Sequence, residues 1–326
     1  MTVWIGVDEA GYGPNLGPLV VCASVWSAPS QFKPDSWVDQ LHPVIRRADP
    51  SSRNCETGIV IDDSKKVYQS GKGLQELERH VLALTQLCGE PVSNADLFRR
   101  WLDDAFCIGD TKNSWRKGSA AIQPISDCVL HTKKEISEIR SALLNANLAV
   151  KRFVGRLLFP NEFNGRLSTT DNKAAVLSET TIALVSRLIS QFESELSTED
   201  LIILCDKHGG RDRYFALLCH FFPEAQVRIL NESEEESVYR WTTSRGMREI
   251  RFCAKAERFP PTAAASMMAK YVRELCMAEW NTFWSDKIPG LAPTAGYPVD
   301  AKRYRLAISA MAKELGYDES DYWRRK

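Results

Sequence analysis

The sequence lacks the features that mark several large classes of protein. Its nine cysteines are an odd number with no C-x-x-C pair, which argues against a disulfide scaffold or a cysteine zinc site and favours reduced thiols. No apolar run approaches the roughly 18 residues of a membrane helix, and the N-terminus does not resemble a signal peptide. We therefore expect a soluble, cytoplasmic protein with no membrane partner.

An excess of charge of one sign is also lacking. The 42 Lys and Arg residues balance 42 Asp and Glu residues, so any contact with nucleic acid must come from a local basic surface. We find no internal repeat and no low-complexity segment. Hydrophobic residues at 44% and charged residues at 26% are typical of globular domains.

Apolar runs and helical spacing alternate along the chain, which predicts a mixed α/β fold. Two apolar runs flank a glycine-rich turn near the N-terminus and predict a strand–turn–strand unit. Further strands are predicted at 151–159, 201–206, 226–230, 238–243 and 248–254. Helices are predicted at 64–87, 132–146, 172–196, 211–221, 260–284 and 299–315. Residues 28–57 are predicted to be irregular, and the basic end Y-W-R-R-K is predicted to be mobile.

The turn sequence V-D-E-A-G-Y-G-P-N places two carboxylates, Asp8 and Glu9, side by side where the first apolar run ends. Neighbouring side chains of a strand point to opposite faces, so the two converge only if the strand ends there and the turn redirects Glu9. Converging carboxylates need a compensating charge, which a divalent metal ion usually supplies. An exposed turn with incidental acids explains the stretch equally well, so both interpretations stay open.

Two further acids occupy similar positions. Asp206 ends the most continuously apolar run, and the carboxyl ends of strands in α/β sheets commonly form sites. Glu257 lies between a predicted strand and the helix predicted from residue 260. Each acid taken singly is more often a helix cap or a surface charge. Four acids at the ends of separate elements favour a site for a pair of divalent ions.

Four motifs, in chain order, resemble those of the type 2 ribonucleases H. D-E-A-G-Y-G-P-N-L-G-P-L-V-V resembles the family's D-E-A-G-R-G-P-x-x-G-P-V-V, and D-D-S-K-K its D-S-K-K. A-A-A-S-M-M-A-K resembles its A-A-S-I-x-A-K helix, and G-Y-P-V-D-A-K-R-Y its G-Y-x-T-x-x-H signature. The resemblance implies an α/β, ribonuclease H-like fold with a five-stranded mixed sheet flanked by helices. We then expect a catalytic domain at 1–285 with an insertion at about 88–150, and a C-terminal helical extension at 286–326.

The same resemblance implies a metal-dependent endonuclease. Family members cut the RNA strand of RNA–DNA hybrids, or DNA at embedded ribonucleotides, and leave 5′-phosphates with the help of two Mg²⁺ or Mn²⁺ ions. The catalytic, metal-binding residues carry over as Asp8, Glu9, Asp206 and Glu257. The family has Asp at the fourth position, so Glu257 is a departure whose extra methylene would compensate for a shorter turn. The implied partner is nucleic acid, and we expect a monomer.

Substrate contacts carry over from the same motifs. Gly11 and Gly13 match the loop whose backbone reads the ribose 2′-hydroxyl in the family, and Tyr297 matches a tyrosine that packs against the ribose at an RNA–DNA junction. Tyr12 stands where the family has arginine, so the positive charge of that side chain is lost. Tyr12 either stacks on the substrate or covers the turn, and packing is the alternative role for Tyr297.

Basic residues near the acids are candidates to replace the lost charge. Lys65 and Lys66 follow a predicted helix cap, where lysines and backbone N–H groups bind phosphate, although a solvated helix start explains them nearly as well. Lys207 and Arg211 follow the strand that carries the third acid. His208, between them, is a candidate for proton transfer, whereas a lone histidine is more often structural.

Two alternatives stay open because Tyr12 and Glu257 both depart from the family pattern. The first keeps the nuclease chemistry and changes the nucleic-acid substrate. The second is a catalytically inactive relative that binds nucleic acid, although all four acidic positions are kept.

Overall fold

The computed structural model describes residues 1–49, 58–68, 74–89, 104–106, 131–195 and 199–325. The strands are β1 (Thr2–Ala10), β2 (Leu19–Ala28), β3 (Ile45–Arg46), β4 (Ile59–Val60), β5 (Ala149–Leu158), β6 (Asp200–Asp206), β7 (Arg228–Glu232), β8 (Glu236–Thr243) and β9 (Gly246–Cys253). Seven of them form one mixed sheet in the order β5-β2-β1-β6-β9-β8-β7, and β3 pairs with β4 separately. Most of the predicted insertion, at 90–103 and 107–130, lies outside the described residues.

The helices flank the sheet. They are α1 (Trp37–Leu41), α2 (Ser64–Val67), α3 (Gln75–Leu87), α4 (Lys133–Asn145), α5 (Pro160–Thr170), α6 (Lys173–Glu195), α7 (Phe215–Phe221), α8 (Pro260–Lys287), α9 (Pro298–Glu314) and α10 (Glu319–Tyr322). None that the structure describes combines the length and the apolarity needed to cross a membrane.

The mixed α/β fold predicted from the sequence is confirmed, but the number of strands is not five. The antiparallel strand β2 lies between β1 and β5, and β6 and β9 run parallel to β1 in succession. The remaining two strands, β7 and β8, extend the sheet because β8 forms a tight antiparallel hairpin with β9. The expected five strands are therefore seven.

Two hydrophobic cores cover the two faces of the sheet, as the alternation of apolar side chains along β1 requires. Trp4 and its neighbours on one face pack with α3, α4, α8 and α9. Val3, Ile5 and Val7 on the other face pack with α5, α6 and α7. The result is a helix–sheet–helix sandwich in which β1 and β2 are buried on both sides.

The start of α8 packs directly on β1, and this contact places the helix beside the ends of the strands. A Cβ atom on Gly6 would lie 2.0 Å from the carbonyl carbon of Pro261, so only glycine allows this approach. The Ser24 hydroxyl donates to the Pro261 carbonyl at 2.6 Å. The Thr262 hydroxyl donates to the Leu204 carbonyl of β6 at 3.2 Å. The first turn of α8 is thus fixed to three central strands.

Three details differ from the sequence-based expectation. The helix predicted at 64–87 is described as two helices, α2 and α3, with residues 69–73 outside the described part of the chain. The predicted domain boundary between residues 285 and 286 falls inside α8, which is continuous there. The prediction of a mobile basic end is wrong, because Tyr322 and Arg324 are buried.

Candidate active site

Asp8 and Asp206 lie side by side at the ends of two parallel strands. The last paired residues of β1 and β6 are Val7 and Cys205, so the two aspartates follow one step further along each strand. Both point to the face of the sheet that α8 covers, because side chains alternate along a strand. Asp8 is 6% exposed, which places a carboxylate almost entirely inside the protein.

Glu9 reaches the same region by a different route from the one expected. β1 ends at Ala10, one residue after Glu9 and about where the sequence predicts, but the turn does not redirect Glu9, which still pairs with Val21 of β2. On its other side β1 has lost its neighbour, because β6 ends at Asp206. With no strand there to separate the two faces, the Glu9 charge acts on the acids of the other face.

Glu257 comes from the 3-10 turn at Ala256–Arg258, which joins β9 to α8. The turn is fastened to the strand ends, because the Ala256 N–H donates to Asp206 Oδ1 at 3.1 Å. It is also braced from outside by Arg47, which donates to the Glu257 carbonyl at 3.2 Å and to the Arg258 carbonyl. Glu257 thereby joins the other three acids.

The four acids repel one another strongly. Burial raises the pKa of Asp8 well above its usual range, and the charges of the other three acids raise it further. Burial, Asp206 and Glu257 together raise the pKa of Glu9 to about 8. The pKa values of Asp206 and Glu257 are also raised, mainly by burial. Such mutually raised values indicate a concentration of negative charge that a cation would relieve.

Ser266 of α8 partly offsets this repulsion by stabilising the charged form of Asp8. Its hydroxyl is hydrogen-bonded to the Asp8 carboxylate and lowers the pKa of that group. The same hydroxyl lies 3.1 Å from that of Ser64, which begins α2. The A-A-A-S motif therefore places its serine against the most buried acid.

Lys65 lies beside the carboxylates, whereas Lys66 does not. The Asp63 side chain caps α2 by accepting from the Lys65 N–H at 2.9 Å. The Lys65 ammonium lowers the pKa of Glu9, Asp206 and Glu257. Lys66 Nζ instead pairs with the buried carboxylate of Asp62 at 3.1 Å. Of the two lysines, only Lys65 is placed to act on the acids, and it acts on three of the four.

The donor set suits a hard divalent cation. Carboxylate oxygens are the ligands that Mg²⁺ and Mn²⁺ prefer, and no histidine or thiolate is among the four groups. In the described ranges, no group of three or more His, Cys, Asp or Glu side chains is arranged so that it could hold a metal ion. The four acids suit the implied ions by their chemistry and their charge, but not by their spacing in this structure.

Residues 11–17, called here the glycine loop, connect β1 to β2 next to the acids. Gly11 has a φ of +85°, and a Cβ atom there would lie 2.6 Å from Arg273 Nε, so glycine is required twice over. Gly13 is exposed, and a Cβ atom there would meet nothing within 4 Å. The loop is therefore tightly held at Gly11 and open at Gly13.

Tyr12 covers the turn beneath a lysine. Lys173 Nζ, at the start of α6, lies 4.5 Å from the centroid of the Tyr12 ring. The Tyr12 hydroxyl lies close to Gly209, where an added Cβ atom would be 3.1 Å away from it. A cation therefore stands beside the position where the family has arginine, and it comes from another element.

Tyr297 lies across the glycine loop from these residues and is 53% exposed. The preceding Gly296 accepts hydrogen bonds from the N–H groups of Asn15 and Leu16 at 2.9 and 3.3 Å. Arg273 lies beneath, with its guanidinium carbon 6.0 Å from the centroid of the Tyr297 ring. Tyr297 is thus joined to the glycine loop and open to solvent.

The segment after Asp206 is more enclosed than the sequence suggested. The Lys207 side chain is 8% exposed and pairs with Asp212, which leaves it no exposed charge to offer a phosphate. The Arg211 Nε–H donates to the Arg213 carbonyl at 2.9 Å, and its guanidinium lies over the Tyr214 ring.

His208 is a core residue rather than a proton carrier. It is 2% exposed and lies 3.0 Å from the Ser178 hydroxyl. Burial and the charge of Arg211 lower the pKa of His208 to about 3, so the ring is neutral at physiological pH. This environment removes it from the candidates for proton transfer.

Sequence reasoning missed three residues of the site. Asp63 is a fifth acid, whose charge raises the pKa of Asp206 and Glu257. Ser266 lies in a motif used only for the resemblance. Arg324 lies under the glycine loop, and its sequence signal, two arginines in an aromatic segment, also suits an exposed end.

No protein-family model matches the sequence, and no curated protein matches it. Solved structures align with nearly the whole chain at low identity. A chain of the PCNA:RNase HII complex from Archaeoglobus fulgidus is 15% identical, with a TM-score of 0.41, 99% of this chain covered and 94% of that chain. The ribonuclease H2 from Pyrococcus horikoshii OT3 is 16% identical, with a TM-score of 0.42 and coverage of 98% and 92%. Bst-RNase HIII in complex with Mn²⁺ is 16% identical, with a TM-score of 0.39 and coverage of 99% and 66%.

Proposed function

We propose that this protein is a divalent-metal-dependent endonuclease that hydrolyses the RNA strand of RNA–DNA hybrids, or DNA at embedded ribonucleotides. One observation carries the proposal: the ends of β1 and β6 and the turn bonded to Asp206 bring four carboxylates together beside Lys65, and their charges raise the pKa of Asp8 and Glu9. A protein that had no use for a cation there would gain stability by replacing some of these acids. The D-E-A-G-Y-G-P motif and its companions give the substrate class.

Asp8, Glu9, Asp206 and Glu257 are the residues that would hold two Mg²⁺ or Mn²⁺ ions. When bound, such ions activate water and stabilise the charge that develops on the leaving oxygen. Asp8 would be the central one of these residues, because it ends the strand that lies beside β6 and it is the most buried of the four. Ser266 orients the Asp8 carboxylate, and the Ala256 N–H fixes that of Asp206.

The substrate face adjoins these acids. Gly13 is exposed, with open space where a Cβ atom would lie, and the segment of the exposed Tyr297 is bonded to the same loop through Gly296. Backbone groups at such a position suit a ribose hydroxyl, which distinguishes RNA from DNA. Lys65 and Lys173 offer charge to the phosphates.

The test is cleavage of matched RNA–DNA, RNA–RNA and DNA–DNA duplexes, with and without Mg²⁺ or Mn²⁺. We expect cleavage of the RNA strand of the hybrid only with a divalent ion, and its loss when the ribonucleotide 5′ of the cut is replaced by deoxyribose. The Asp8→Asn variant is the control for a contaminating nuclease.

The outcomes separate the alternatives. Equal cleavage of the DNA duplex would favour the same chemistry on another nucleic acid. Tight hybrid binding without cleavage under any divalent ion would favour an inactive binding relative. A protein that neither binds nor cleaves any of the duplexes would overturn the proposal.

A further inference from the structure

We propose that Arg324 is a positioning residue that fixes the backbone of the glycine loop for the ribose and so sets the preference for RNA–DNA hybrid over DNA. This inference rests on the proposed function. Arg324 comes from the segment after α10 and lies beneath the loop with 2% of its surface exposed. Nothing in the motifs points to it.

The guanidinium of Arg324 is bonded to loop carbonyls instead of an acid. Nη2 donates to the Gly11 carbonyl at 2.5 Å and to the Pro14 carbonyl. These two carbonyls flank Tyr12, which is half-buried, and Gly13, which is exposed. One side chain thus clamps both ends of the segment that faces the substrate.

The backbone of Arg324 closes the same contact from the other side. Its N–H donates to the Asn15 carbonyl at 2.8 Å, and its carbonyl accepts from Asn15 Nδ2 at 2.9 Å. Asn15 also donates its N–H to Gly296 at 2.9 Å, which ties the clamp to the segment of Tyr297. The loop is therefore held between two later parts of the chain.

This arrangement is electrostatically expensive. Arg273 lies close by, and burial and the charge of Arg273 lower the pKa of Arg324 to about 9. Within the described residues, no acidic side chain pairs with Arg324, and its buried Nε has no hydrogen-bond partner. An apolar side chain would fill the space without an unpaired buried charge. What the arginine supplies is a fork of rigid N–H donors that reaches two carbonyls together.

A purely structural anchor would look different. The segment is already attached to α5, because Asn164 Nδ2 donates to the Trp323 carbonyl at 2.8 Å and Arg325 donates to the Asn164 carbonyl at 2.8 Å. Among the described residues, Arg325 contacts Asn164 and Ser168 of α5 and makes no hydrogen bond to the glycine loop. The two neighbouring arginines thus have different contacts: Arg325 attaches the segment after α10 to α5, and Arg324 binds the glycine loop.

The experiment compares Arg324→Gln and Arg324→Lys with the matched control Arg325→Ala. Steady-state cleavage of a hybrid gives KM and kcat, competition with a DNA duplex gives the preference, and amide hydrogen exchange at Asn15 and Leu16 reports the loop without activity. We expect Arg324→Gln to raise KM and reduce the hybrid preference by about tenfold, with kcat within about twofold, because ordering of the loop is then part of substrate binding. Arg324→Lys should recover part of the loss.

Arg325→Ala should leave the preference and the loop exchange unchanged. A folded Arg324→Gln protein with wild-type KM, preference and loop exchange would overturn the proposal, and so would a loss of kcat alone. If Arg324→Gln does not fold, Arg324→Lys decides by the same readouts. If the wild-type protein cuts no hybrid, the proposed function fails, and exchange at Asn15 and Leu16 alone decides whether Arg324 orders the loop.

Discussion

The carboxylate end of the sheet and the glycine loop are neighbours, yet they are held in opposite ways. The carboxylates are placed mainly by the sheet, through the register of β1 and β6 and a turn bonded to Asp206. Their charges repel one another. The loop is held by buried arginines, Arg273 and Arg324, that bond its carbonyls. Negative charge is thus concentrated where we propose that a cation binds, whereas positive charge is buried where it fixes a backbone.

The largest effect should come from removing the central charge of the carboxylate end. Asp8→Asn should reduce hybrid cleavage more than about a hundredfold, because a ligand of the proposed ions is lost. In a chelator it should also raise the melting temperature by relieving repulsion, and Mg²⁺ should then raise it less than in the wild type. A cleavage assay measures the first effect, and calorimetry with and without Mg²⁺ measures the two changes in melting temperature.

The exposed Asp35→Asn variant is the control, since Asp35 lies away from the acids at the start of a short 3-10 helix. A lower melting temperature for Asp8→Asn in chelator would contradict the repulsion between the carboxylates, because Asp8 would then stabilise the fold.

The next effect is a pH dependence of stability. Glu9 ionises with an ordinary pKa of 4.5 when exposed and about 8 in the folded protein. The folded state therefore binds the proton more tightly than the unfolded state. The contribution of Glu9 to the free energy of unfolding is fully present below pH 4.5 and is lost as the pH rises through about 8. In chelator, the free energy of unfolding of the wild type relative to Glu9→Gln should fall on the order of 2 kcal/mol between pH 5 and pH 8.

Urea unfolding at several pH values tests this difference, because other titrating groups cancel between the two proteins. A flat difference across the range would show that Glu9 carries no repulsion. Saturating Mg²⁺ should flatten it.

A smaller effect separates two adjacent lysines. Lys65→Ala should weaken hybrid binding about threefold to tenfold and reduce its salt dependence by about one unit of slope, because a phosphate contact is lost. Lys66→Ala is the matched control, since Lys66 is paired with Asp62. Fluorescence anisotropy over a range of salt concentrations measures both, and equal losses in the two variants would contradict the assignment.

The smallest effect concerns Tyr12. Lys173 lies over the Tyr12 ring, so an arginine at position 12 would bring two cations together, and they would repel each other. Tyr12→Arg should lower the free energy of unfolding by about 1 kcal/mol, and Tyr12→Phe, which keeps the ring, should change it less. A more stable Tyr12→Arg protein would show that the cation over the ring contributes nothing.

The same contrast explains how much the sequence could predict. Asp8, Glu9, Asp206 and Glu257 could be proposed from the sequence because acids at the ends of apolar runs carry a local signal. The contacts of Arg324, Ser266 and Lys173 could not be predicted, since their partners lie far away in the chain.

The local sequence pattern also did not predict the surroundings of side chains that the fold buries. Lys207 was assigned to the substrate because it follows Asp206, but the fold pairs it with Asp212. His208 was a candidate acid or base until burial made it neutral. The seven strands were predicted one by one, whereas the joining of the last hairpin to the central sheet required the structure.

The bond between Arg324 and Gly11 joins residues 313 positions apart, which has a consequence for the order of folding. Contacts of such long range form late, because the entropy of closing a large loop must be spent first. The carboxylates also come from distant parts of the chain, because Asp8 must meet Asp206 and Glu257, and the entropy of loop closure rises only slowly with loop length. We therefore expect the glycine loop and the carboxylate end of the sheet to be completed at the same late stage of refolding.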